Sequence, residues 1–143
     1  MAGRALRETV LYYTPDPQDS AAKLKGVLVR MGIRIRNVAP DQVLEQVGAL
    51  AGMPGFRLQE ERGTALAVIP QKMLVMYRFS SQRMDELLRN LRKAGVPRID
   101  LKAVITESNC QWTFYHLYEE ISEEHRQMHG EDTAKMHPVN GNE

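Results

Sequence analysis

The chain lacks most of what marks a dedicated chemistry. It holds one cysteine in 143 residues. A lone cysteine excludes an internal disulfide and every zinc-finger pattern, and it points to a reducing compartment, the cytoplasm. No apolar run approaches the ~18 residues needed to cross a bilayer. Arg4 and Arg7 precede no apolar stretch, so no signal peptide is expected. Neither a GxGxxG nor a GxxxxGKS/T loop follows a candidate strand. The usual backbone cradle for a nucleotide phosphate is therefore missing, and no cofactor is expected.

What is present is ordinary in amount and uneven in layout. The apolar fraction is 43% and the charged fraction 26%, which suits a single globular domain. The formal net charge is +1. Residues 1–40 carry seven Lys/Arg against three Asp/Glu, residues 41–106 ten against seven, and residues 107–143 two against eight. The body is basic and the last segment acidic. An acidic helix can simply keep a protein soluble. It can also pack against the basic body of a second copy.

Periodicity predicts alternating strands and helices. Val10-Leu11-Tyr12-Tyr13 is a short β-prone run. Asp16-Pro17 opens a helix with Leu24, Leu28 and Met31 on one face, and Gly32 ends it. Ile33 to Arg36 alternates apolar and charged residues, as an edge strand does. Pro40-Asp41 opens a second helix with Val43, Leu44, Val47 and Leu50 on one side, stopped at Gly52. Ala65 to Ile69 is a possible extra antiparallel strand. Met73 to Tyr77 is the best central strand. Ser80 or Ser81 caps a helix carrying Met84, Leu87, Leu88 and Leu91, and Gly95 ends it. Ile99 to Thr106 is the next strand, and Ser108 with Gln111 fits a capping box for a last helix.

A shift of 63 residues lays Leu24, Leu28 and Gly32 on Leu87, Leu91 and Gly95. The expected fold is therefore α/β: a small mixed, largely parallel sheet of four or five strands from two β-α-β-α half-repeats, with helices packed on it. The expected domain spans residues 1–128, with halves at about 8–55 and 73–128, and residues 129–143 form a polar tail.

In such folds ligands gather beyond the carboxyl ends of strands. Those ends place Thr14, Asp16, Asn37, Asp41, Arg78, Ser80, Thr106, Ser108 and Asn109 in a candidate crevice. Caps and turns account for most of these residues without a ligand. Cys110 lies near a helix start, where a thiol can be activated, but His116 is nearly opposite on the helix and makes a poor base. His125 and His129 share a helix face yet lack the glutamate of the metalloprotease motif. No catalytic set and no metal site is expected. Lys23, Lys25, Arg30, Arg34 and Arg36 could neutralise phosphates, without the stacking aromatics that RNA-binding modules carry. Trp112, Phe114, Tyr115 and Tyr118 are four of nine aromatics in seven residues. They cannot all face one core: Phe114 and Tyr118 fall on one face with Leu117 and Ile121, while Trp112 and Tyr115 point towards its flank. Either this is a broad core face with Trp112 roofing the sheet, or the four are candidate interface anchors.

The stretch from Ile99 through Asn109-Cys110-Gln111-Trp112, with Leu117-Tyr118-Glu119-Glu120 and His125, resembles a bacterial family, domain-of-unknown-function family three-seven-eight-three. The resemblance covers about Met73 to His125. Met31 to Pro40 and Gly48 to Gly52 resemble the region that often precedes it. Its most specific residues are Leu101-Lys102-Ala103, Thr106, Asn109 and Trp112. The resemblance implies a small bacterial cytosolic protein and supplies no activity or catalytic residue.

Together these readings predict a non-catalytic interaction module that self-associates through an edge strand or the last helix. The first alternative is a small ligand or anion at the strand ends, with Thr106, Ser108, Asn109, Trp112 and Arg78 as its residues. The second is weak RNA binding by the basic first half.

Overall fold

The computed structural model describes residues 7–59 and 68–136, with side chains as far as Met128. Four strands form one sheet in the order β2-β1-β3-β4. They are β1 (Thr9–Tyr13), β2 (Arg34–Asn37), β3 (Met73–Tyr77) and β4 (Leu101–Val104). The helices are α1 (Ala22–Arg30), α2 (Val47–Ala51), α3 (Ser81–Lys93) and α4 (Phe114–Met136), with one 3-10 turn at Pro40–Gln42. The α/β half-repeats are therefore present. β1 pairs with β2 in parallel, as β3 does with β4, and the halves join through the antiparallel pair β1–β3.

Strand alternation sorts the core into two layers. Val10 and Tyr12 of β1 and Leu74 and Met76 of β3 pack under Leu24 and Leu28 of α1 and Leu87 and Leu91 of α3. Leu11, Tyr13, Met73 and Val75 face the other way, onto Val47 and Leu50 of α2 and Phe114 and Leu117 of α4. The β1–β3 register centres on Leu11 opposite Val75, so a pseudo-twofold passes through that pair.

Local polar groups move several expected boundaries. The Asp16 carboxylate accepts from Gln18 N–H and that of Asp19 from Ala21 N–H. These turns delay α1 to Ala22, behind Ala21 at φ 55°. Pro40 opens only a 3-10 turn, and α2 shrinks to five residues with Leu44 exposed. Ser80 caps α3 as expected, accepting from Arg83 N–H at 3.1 Å. α4 starts at Phe114, not at Ser108, with the Thr113 hydroxyl accepting from His116 N–H. It continues to Met136, past the expected start of the polar tail. Gly130 costs a helix only ~1 kcal/mol, so it does not end α4. Ala65 to Ala67 of the possible extra strand lie outside the described residues. Ile69 is buried, and its carbonyl accepts the Tyr13 hydroxyl at 2.9 Å.

A charged clasp also follows the pseudo-twofold. Arg83 forks onto both Glu8 oxygens at 2.7 and 2.9 Å and also donates to Glu86 and to the Met31 carbonyl. The equivalent positions, 64 residues away, hold Lys72 and Asp19, whose charged groups are 3.6 Å apart. The signs are reversed, so each half matches the other half and repels a copy of itself. Arg83→Glu is expected to cost about 2–3 kcal/mol, and adding Glu8→Arg recovers part of it. Equal stability of the single and double variants in urea denaturation would contradict the pairing.

The Arg83 fork holds the Glu8 carboxyl below its ordinary range, and the Tyr12 hydroxyl holds Asp19 below its own. Both groups favour the folded state above their ordinary values of 4.5 and 3.8. That stabilisation disappears as pH falls through the lowered folded values. Burial, then the Asp19 hydrogen bond, pushes Tyr12 up from 10.0. Its contribution is full below that pH and fades above it.

Candidate functional site

The turns that follow the second strand of each half meet on the α2/α4 layer. Val47 N–H donates to the Trp112 carbonyl and Gly48 N–H to that of Cys110, each at 2.8 Å. Reciprocally, Phe114 N–H donates to the Glu45 carbonyl at 2.9 Å and Tyr115 N–H to that of Val43 at 2.8 Å. Gln46 and Thr113 form a β-bridge between the two turns. One offset of 67 residues relates every partner in this exchange. The first amides of a helix have no partner within it. Here the first two of α2 and of α4 are satisfied by the opposite half. Those four amides are thereby taken up within the fold.

The family-like residues build this crossing. Asn109 Oδ1 accepts from Thr106 N–H at 2.8 Å, and Thr106 Oγ1 accepts from Asn109 N–H at 3.1 Å. Asn109 Nδ2 donates to the Val104 carbonyl at 2.9 Å. The side chain is buried, and these three bonds hold the exit from β4 in one shape. Cys110 is buried with its sulfur 3.4 Å from the Glu107 carbonyl. Ser108 is exposed.

Gly48 shows how close the turns come. A Cβ there would lie 3.0 Å from the Cys110 carbonyl oxygen and 2.9 Å from the Phe56 ring. Alanine gains up to ~1 kcal/mol in helix propensity, but overpacking costs about 1–3 kcal/mol. Gly48→Ala is therefore expected to lower the thermal midpoint; a raised midpoint would contradict the close approach. Glu45 is the other polar group of the crossing. Its carboxylate is buried and accepts from Gln59 N–H at 3.0 Å. Glu45 does not stand out in the sequence, because nothing local in its surroundings marks a buried carboxylate.

The aromatic cluster divides by face. Phe114 is wholly buried, with its ring 6.0 Å from that of Tyr13. It belongs to the core and is corrected as an interface candidate. Trp112, Tyr115 and Tyr118 are half-buried at the edge of that core. Trp112 stacks on His116 at 4.4 Å, and Tyr115 meets Tyr118 at 5.6 Å.

The candidate crevice does not assemble as one site. Because the halves are antiparallel, the carboxyl ends of β1 and β2 lie at one end of the sheet and those of β3 and β4 at the other. Thr14, Asp16 and Asn37 thereby lie at the opposite end of the sheet from Arg78 and Ser80, whereas the turn after β2, which holds Asp41, and the turn after β4 run back to meet at the crossing. Arg78 is exposed at φ 67°, directly after β3. Among the described residues no three His, Cys, Asp or Glu groups could hold a metal ion. The side chain of His129 lies outside the described residues.

Charge separates by layer. α1 carries Lys23, Lys25 and Arg30 with no acid, and α3 carries four cations and two acids. α4 carries six acids and two cations. The cations at the sheet margins are Arg34 and Arg36 on β2 and Lys102 on β4. No helix among the described residues is long and apolar enough to cross a membrane.

Residues 72–128, from the start of β3 into α4, match DUF3783, a domain of unknown function. No curated protein and no solved structure matches the chain.

Proposed function

We propose that this chain, whose residues 72–128 form a DUF3783 domain, is a non-catalytic, self-associating interaction protein of the bacterial cytoplasm. In this reading the acidic outer part of α4 docks on the basic α1/α3 layer of a second copy. The observation that carries it is the division of charge between the two helical layers. Exposed Lys23, Arg30, Arg89, Arg92 and Lys93 lie on one side of the sheet, and exposed Glu119, Glu120, Glu123 and Glu124 on the other.

Length supports the same reading. A 23-residue helix extends about 35 Å, whereas a five-residue strand spans about 17 Å. The last fully buried residue of α4 is Leu117 among its described side chains. Helical segments without tertiary packing are marginal in water, so a docking partner would stabilise the overhang. Two α4 helices side by side would oppose their carboxylates. Pairing of like sheet edges would oppose Arg34 and Arg36, or Lys102, with their own copies. The basic layer is the complementary surface that remains.

Sedimentation velocity of the full chain at about 20 mM and about 1 M salt tests this, because ~1 M salt screens charges beyond ~3 Å. Association at low salt that dissociates at high salt is expected. Glu120→Lys with Glu124→Lys should weaken it at least tenfold. A monomer at both salt concentrations, or association indifferent to these substitutions, would overturn the reading.

A further inference from the structure

We infer that the hollow beside the start of β4 binds a small organic anion with an apolar body, such as a fatty or aryl carboxylate. The cavity is about 400 Å³, within the usual size range of ligand pockets. Its floor is apolar: Leu88 and Leu91 of α3, with Val96 and Ile99 of the connection to β4. Leu91 and Ile99 are themselves core residues, so one wall is rigid. Three cations line the same hollow: Arg92, Arg98 and Lys102.

These cations are incompletely neutralised. Arg98 Nε pairs with Asp100 at 2.9 Å. Lys102 Nζ donates to the Ile99 carbonyl at 2.5 Å, which uses one of its three donors. Burial, then the neighbouring Arg98, holds the Lys102 ammonium below its ordinary pKa, with Asp100 opposing the shift. A carboxylate seated among these groups would relieve the crowding of like charge, and its apolar body would cover the floor. An anion without an apolar body gains only the first of these and a neutral amphiphile only the second. The hollow flanks the amino end of β4, away from the Thr106–Asn109 turn, and its use does not require self-association.

The test follows amide shifts of the full chain by NMR during titration with octanoate, with acetate and octanamide as controls. Saturable shifts at Val96, Ile99 and Lys102 are expected for octanoate, at least tenfold tighter than for either control. Lys102→Met keeps most of the apolar stem and removes the charge, and should weaken octanoate binding about tenfold while the amide spectrum outside the hollow remains that of the parent fold. Arg98→Gln should weaken it in the same direction. Absence of saturable shifts at these amides would overturn the inference. So would controls that bind as tightly as octanoate, or unchanged affinity in Lys102→Met.

Discussion

Phe114→Ala is expected to lower unfolding free energy by about 3–5 kcal/mol. Domains of this size are stable by only about 5–15 kcal/mol, so the variant should lose a large part of its folded margin. The ring is wholly buried at the first turn of α4 and packs against Tyr13 of β1. It thus ties the helix of the second half to the central strand of the first. Urea denaturation reads the effect directly. A loss below about 1 kcal/mol, accompanied by weakened self-association, would return Phe114 to the surface role that its aromatic neighbours suggested. A loss of the expected size at every protein concentration places it in the core.

Asn109→Ala should cost about 1–3 kcal/mol. The substitution removes the acceptor of the Thr106 N–H and the donor to the Val104 carbonyl, two part-buried bonds that each contribute about 0.5–1.5 kcal/mol. Asn109→Asp separates the two bonds: it keeps the acceptor for Thr106 and loses the donor to Val104. The aspartate variant should therefore remain destabilised in urea denaturation at neutral pH. If Asn109 instead served a ligand, both variants would unfold like the parent and only binding would change.

Part of this structure was legible in the residues. Leu24, Leu28 and Gly32 against Leu87, Leu91 and Gly95 disclosed two similar halves, because an amphipathic face and a helix-ending glycine are local properties. Ser80 was readable as a cap for the same reason. The starts of α2 and α4 were not. Their first amides bond to main-chain carbonyls of the opposite half, and carbonyls carry no residue signature. Ser108 and Gln111 offered a local capping box, which the longer-range exchange displaced. The join between the halves was equally hidden. Strand–helix–strand order implies parallel pairing within a half and says nothing about how two halves meet. Glu8 and Arg83 lie 75 residues apart, and only the folded chain pairs them.

The family-like corner was the most distinctive stretch of the sequence. Thr106 and Asn109 were candidate ligand residues that caps and turns could also explain. In the folded chain their hydrogen bonds close on each other and on Val104, so they brace the turn that reaches the crossing between the halves. The exposed charge lies elsewhere, on the α1/α3 layer and along α4. The cations of the hollow, Arg92, Arg98 and Lys102, were scattered in sequence and were gathered only by the turn from α3 into β4.

The interlock of the two halves is the claim on which the rest depends, and amide hydrogen exchange tests it most directly. The first two amides of an ordinary helix exchange quickly because they lack partners within it. Here Val47, Gly48, Phe114 and Tyr115 each donate across the crossing. They should exchange as slowly as amides of β1 and β3, and Asn109→Ala should accelerate all four together. Rapid exchange at these positions in the parent protein, beside slow exchange in the strands, would contradict the interlock.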